Sequence, residues 1–144
     1  MLFRSPEVAE ATHHFFNGKI VVLVDSNSAS IAELFARVMQ LERRGMVIGD
    51  LTSGSVMESK RFQEKQGTDT VVVYGISIPE GDLIMGDEKS LEHVGVTPDE
   101  VVLPSVQDLA NGSDPVLARA AEVLGVKLSP EEAGKAFPYE WPSE

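Results

Sequence analysis

Lys19-Ile20-Val21-Val22-Leu23-Val24-Asp25-Ser26-Asn27-Ser28-Ala29-Ser30-Ile31-Ala32-Glu33-Leu34-Phe35 decides the fold. Its first part, from Ile20 to Val24, is an unbroken β-branched and aliphatic run, the mark of a strand buried on both faces, as in parallel sheets. Ser26-Asn27-Ser28 is a short polar turn. From about Ala29 to Arg44 the apolar residues Ile31, Leu34, Phe35, Val38 and Leu41 recur at helical spacing, with Glu33, Arg37, Glu42 and Arg43 between them. Beyond Gly45, Met46-Val47-Ile48-Gly49 reads as a second short strand. Strand, turn, helix, turn, strand is a βαβ unit, for which a right-handed crossover is expected.

Outward from this unit, Asp50–Gly54 reads as loop and Val56–Gln66 as one arm of a ribbon turning at Gly67-Thr68. Asp69–Ile78, rich in Val, Tyr and Ile, is the other arm. Pro79–Asp82 is expected to turn, Leu83–Met85 and Val101–Leu103 to be short strands, and Val94–Asp99 to be loop. Three C-terminal helices are punctuated by Ser105 and Gly112, by Asp114 with Pro115 and Gly125, and by Ser129-Pro130-Glu131-Glu132. A loosely helical stretch, Glu7–Phe16, precedes the first strand, and Phe137–Glu144 reads as an irregular tail. The fold class is therefore α/β: a βαβ unit, a β-ribbon and C-terminal helices, in one domain spanning residues 1–144.

Composition bounds the function. The 144 residues hold 12 basic and 23 acidic side chains, a formal charge of −11, which opposes binding to a polyanion. With no cysteine there is neither a disulfide framework nor a thiolate metal site. Runs such as Ile20–Val24 and Val71–Tyr74 are too short to span a bilayer, and Met1–Pro6 has no apolar signal core. Asp50, Asp87, Glu88 and Asp99 read as solvated acids, so no metal or cofactor is expected.

Ser30 stands where the strand gives way to the helix. Free amides and the helix dipole there favour developing negative charge. A serine on such a turn can attack a carbonyl while the amide of Ile31 supports the oxyanion. The plainer alternative is a capping box, Ser30-Ile31-Ala32-Glu33, in which serine and glutamate only satisfy each other's backbone donors.

The segment Val21–Phe35 resembles the nucleophile region of the C-terminal processing (tail-specific) serine peptidases, which show a strand followed by Ser-Ala-Ser-Ala-Ser-Glu-Ile or a close variant. Other segments are similar in the same order. Val47–Gly54 resembles the Val-Gly-Glu-x-Thr-x-Gly turn, Ile78–Gly81 the Pro-x-Gly turn, Leu91–Asp99 the Glu-x-x-Gly-Val-x-Pro-Asp segment, and Asp108–Leu117 the closing helix signature. The likeness runs from about Gly18 to Leu124. It implies a partial ClpP/crotonase-like core with Ser30 as nucleophile of a serine endopeptidase acting on peptides or proteins.

Two departures matter. Many members carry a lysine general base directly after the Thr-x-Gly turn, where this chain has Ser55; the glutamine that often follows aligns with Ser59. Lys60 and Lys65 lie nearby on the ribbon, where lysines are usually solvated. The chain thus resembles the tricorn-like branch, whose serine works with a histidine and a glutamate, and Glu92 matches that glutamate. Its alternative is a loop glutamate making a backbone or surface hydrogen bond. His13 and His14 lie too close to the Ser30 strand to match the branch's histidine, and His93 is expected to point away from Glu92. The family's upstream Asp-Leu-Arg-x-Asn-x-Gly-Gly turn, which donates a second oxyanion amide, has no match here, nor has its PDZ module. Losing one oxyanion donor costs on the order of a hundredfold or more in rate. The expectation is the C-terminal part of a peptidase core, inert alone, whose parent resides in the bacterial envelope or is secreted. A peptidase-like module that binds peptides or assembles without chemistry is the alternative, and exposed strand edges would allow self-pairing. An acyl-CoA enzyme would share the fold class but not these motifs.

Overall fold

The computed structural model describes residues 15–138. Four-residue strand β1 (Val21–Val24) leads through the Asp25–Ser30 turn into α1 (Ile31–Leu41) and returns as β2 (Met46–Gly49). β1 and β2 are parallel, Val21 opposite Met46 and Val24 opposite Gly49, so the βαβ unit forms as its sequence dictates. β5 (Glu100–Val101) adds in parallel on the far side of β2, giving the sheet order β1-β2-β5.

The helix ends sooner than its periodicity suggests. Arg43, at φ 50°, takes the left-handed position usual for glycine; its amide donates to the Gln40 carbonyl and that of Arg44 to the Met39 carbonyl. This 5→2 and 6→1 pair closes the helix two residues before Gly45.

β3 (Glu58–Gln66) and β4 (Val72–Gly81) form the expected antiparallel ribbon, Phe62 opposite Ile76. Two expectations fail beside it. Pro79–Gly81 continue β4 instead of turning, with Pro79 opposite Ser59 at a register irregularity, an edge position where a missing N–H is tolerated. Leu83–Met85 contributes only a single bridge, Ile84 to Ser90.

C-terminal helices α2 (Val106–Asn111), α3 (Pro115–Val123) and α4 (Pro130–Ala136) start at the expected caps: Ser105, Asp114 and Ser129 accept from the amides of Asp108, Leu117 and Glu132. The segment Glu7–His14 and the tail beyond Pro138 lie outside the described residues.

The core gathers Val24, Ala36, Val47, Val56, Leu91 and Val96, with Val22, Leu34, Leu83 and Met85 packed around it. α1 and α3 both pack on β1 and β2. Among the apolar residues left open are some on β1 and β4. Leu23 is 42% exposed, so β1 is not buried on both faces as its composition suggests. On β4, Val72, Tyr74, Ile76 and Ile78 share one face by strand alternation, and all are exposed.

Candidate functional site

Ser30 caps α1 with φ 57° and ψ −123°, a conformation that L-residues rarely adopt and that costs on the order of 1–3 kcal/mol. The capping-box residue pair is present, but the hydroxyl does not act as the cap. The amide of Glu33 donates to the Ser30 carbonyl oxygen at 3.0 Å, and the Ser30 side chain makes no cap hydrogen bond. Ser30 is exposed, and the amide of Ile31, first in α1, donates to no acceptor among the described residues. Among the described residues the Ser30 hydroxyl and the Ile31 amide, neither with a hydrogen-bond partner there, share the positive end of an eleven-residue helix.

The turn is held by Glu33. Its side chain is fully buried, and each carboxylate oxygen accepts twice. Oε1 takes the Thr52 hydroxyl at 2.5 Å and the Gly54 amide at 2.7 Å; Oε2 takes the amides of Ser55 and Ser30, each at 3.0 Å. Burial pushes this carboxyl up, but the bonds from Thr52, Gly54, Ser55 and Ser30 outweigh it, and the group lies below the usual carboxylate range.

Thr52 also accepts from the Val96 amide at 2.7 Å, which joins the 52–54 turn to the segment after Glu92. The two backbones approach closely enough to demand glycine at Gly95 and to crowd any side chain at Gly54. A Cβ on Gly95 (φ 72°) would lie 2.6 Å from the Thr52 carbonyl oxygen, and one on Gly54 (φ 70°) 3.1 Å from the amides of Val94 and Gly95. This contact accounts physically for a Thr-x-Gly turn and a Gly-Val pair forty residues apart.

Glu92 enters from the same segment. Its Oε2 accepts from the Val56 amide at 2.6 Å, while the Ser55 carbonyl accepts from the Ser30 amide at 2.9 Å. Ser30 and Glu92 are therefore joined through one peptide group. His93 does not point away: its Nε2 lies 3.7 Å from Glu92 Oε1 because the residue takes φ 58°, which breaks the strand alternation behind the earlier expectation. Its ring is almost wholly exposed. Ser55, in the lysine position, meets Ser53 at 3.0 Å between hydroxyls. Lys60 stays on the ribbon, over the Phe62 ring and 4.0 Å from Glu80, and Lys65 is exposed.

Two of the presumed solvated acids are structural. Asp87 pairs with Arg37 at 2.5 Å, and Asp99 accepts from the Val47 amide at 2.8 Å and the Gln40 side chain at 2.9 Å. Two hollows of about 640 and 510 Å³ lie beside Arg119 and beside Lys19; Ser30, Ser55 and Glu92 line neither. Around Ser30 the described residues form an open face.

The sequence profile of peptidase family S41 matches residues 4–102. The chain belongs to peptidase family S41. Among solved structures it is similar to the tricorn protease, at 25% identity and a TM-score of 0.61 over 74% of this chain and 10% of that one. It is also similar in fold to a putative peptidase from Parabacteroides merdae, at 22% identity and a TM-score of 0.57, covering 76% of this chain and 32% of that one. Mature CPAF shares the fold at 19% identity and a TM-score of 0.51, over 74% and 19% of the two chains. The chain thus spans a third or less of the length of these solved structures. Among the described residues no helix is long and apolar enough to cross a membrane.

Proposed function

We propose that residues 1–144 are the C-terminal part of a serine endopeptidase core, in which Ser30 is the nucleophile. The supporting observation is the strained, exposed Ser30 at the head of α1, its hydroxyl and the Ile31 amide beside it both without a partner among the described residues. Ser30 Oγ attacks the scissile carbonyl and passes its proton to a general base. The Ile31 amide takes the developing oxyanion, and the amine leaves with the proton, giving an acyl-enzyme that water then hydrolyses.

Ser55 has no basic nitrogen to serve as that base. Glu92, with its second oxygen turned toward the exposed surface at His93, is the carboxylate to orient a histidine supplied by the rest of the active enzyme. The remaining oxyanion donor comes from the same source, so the 144 residues alone are inactive. A peptide or protein is the substrate, and the resemblance implies an envelope or secreted parent.

Replacing Ser30 with alanine in the full enzyme tests this. Peptidase activity should fall by at least a thousandfold while folding is retained. Unchanged biological activity would instead favour a peptide-binding module without chemistry.

A further inference from the structure

The geometry points to Glu33 as the positioning residue of Ser30, a role beyond the helix cap that its spacing suggests. The inference rests on the reading of Ser30 as nucleophile only for its consequence in catalysis; the positioning itself stands on the contacts. A cap needs one carboxylate oxygen and one amide. Glu33 is fully buried and uses both oxygens on four donors, of which only the Ser30 amide belongs to the cap. The other three lie about twenty residues further on, in the Thr52–Ser55 turn.

The Ser30 amide is shared between Glu33 Oε2 and the Ser55 carbonyl, and the Ser55 amide returns to the same Oε2. Three sides of a small ring therefore fix the backbone on which Ser30 sits at φ 57°. A strained residue persists only where its surroundings over-determine it, and the carboxylate supplies that here. Because Glu33 claims the Gly54 and Ser55 amides, neither is free to bind an oxyanion, and the Ile31 amide is left as the donor beside the hydroxyl. Glu33 touches no reacting atom; it sets where the hydroxyl and that amide stand.

The test is amide exchange, followed by NMR on the 144-residue chain, in wild type, Glu33→Gln and Glu33→Ala. A glutamine keeps one acceptor oxygen and turns a donor toward the other pair of donors. E33Q should speed exchange at least tenfold at one of the pairs, Ser30 with Ser55 or the Gly54 side. E33A should do so at Ser30, Gly54 and Ser55 together. Amides of β1 and β2 should change less than twofold in E33Q. In wild type, the three amide resonances should titrate together on acidification with one midpoint below the usual carboxylate range. If E33A unfolds, that titration and E33Q decide. Unaltered exchange at all three sites in E33Q, equal acceleration throughout the sheet, or the absence of a shared titration overturns the proposal.

A separate arm measures fluorophosphonate labelling of Ser30 in the full enzyme, where E33Q should slow it tenfold or more. If wild-type Ser30 does not label while the amides respond as stated, the nucleophile reading fails and the positioning role stands. If wild type labels and E33Q labels equally fast, the positioning role fails and the nucleophile reading stands.

Discussion

Ser30 and Glu92 grip opposite ends of the same peptide group: the Ser30 amide donates to the Ser55 carbonyl at 2.9 Å, and the Val56 amide donates to Glu92 Oε2 at 2.6 Å. A planar trans peptide transmits direction rigidly. Moving Glu92 therefore moves the carbonyl on which the Ser30 backbone rests. Glu92 is thereby coupled to the Ser30 backbone.

Substituting Ser30 with glycine should separate stability from reactivity. Glycine occupies φ 57° without steric cost, and the serine side chain makes no cap hydrogen bond to lose. Relief of strain outweighs the added freedom of the unfolded chain, so the S30G chain gains about 1 kcal/mol, read as a higher urea midpoint at unchanged m-value. In the full enzyme the same substitution should abolish labelling by acylating reagents at this position. A lower midpoint would show that the conformation is unstrained.

Gly95 and Gly125 both have positive φ, but only Gly95 faces another backbone. A Cβ there would meet the Thr52 carbonyl oxygen at 2.6 Å, whereas one on Gly125 would find nothing within 4 Å among the described residues beyond its chain neighbours. Gly125→Ala should cost about 1 kcal/mol, the backbone penalty alone. Gly95→Ala should cost at least twice as much and weaken the Thr52–Val96 link. Equal losses in denaturant unfolding would refute the close-approach account.

Acid should loosen the turn before the sheet. The folded Glu33 carboxyl lies below its unfolded value of 4.5, so the unfolded chain binds the proton more readily. Its contribution to stability is complete above that value and disappears as pH falls through the folded pKa. Stability followed by denaturant titration should decline below about pH 4.5, and less steeply in E33Q, which has no such proton to take up. An identical acid limb in both proteins contradicts this.

Removing the Asp99 side chain should destabilise more than its exposure suggests. Asp99 accepts from the Val47 amide at the start of β2 and from Gln40 on α1. Asp99→Ala should cost about 1–3 kcal/mol in thermal or urea unfolding; the Asp50 carboxylate reaches only its neighbour's amide among the described residues, and Asp50→Ala should cost under about 1 kcal/mol.

What the sequence disclosed follows from what local patterns encode. The run Ile20–Val24 and the spacing Ile31, Leu34, Leu41 specify strand and helix because those periods are local, and they deliver Ser30 to the bend between them. The S-x-x-E spacing conceals Glu33's larger role, since three of its four donors are contributed by residues 52–55, remote in sequence. Composition reads β1 and β4 as apolar but cannot say what covers them, hence the open Leu23 and the exposed Tyr74, Ile76 and Ile78. His93 departs from strand alternation because alternation assumes extended backbone, and φ 58° is not extended.

The most direct test of the nucleophile is a fluorophosphonate reaction with the full enzyme, followed by peptide mapping. The account predicts a single stoichiometric adduct on Ser30, absent after Ser30→Ala and retained after Ser55→Ala. An adduct on Ser55 or elsewhere, or none on an enzyme that still cleaves peptides, contradicts it.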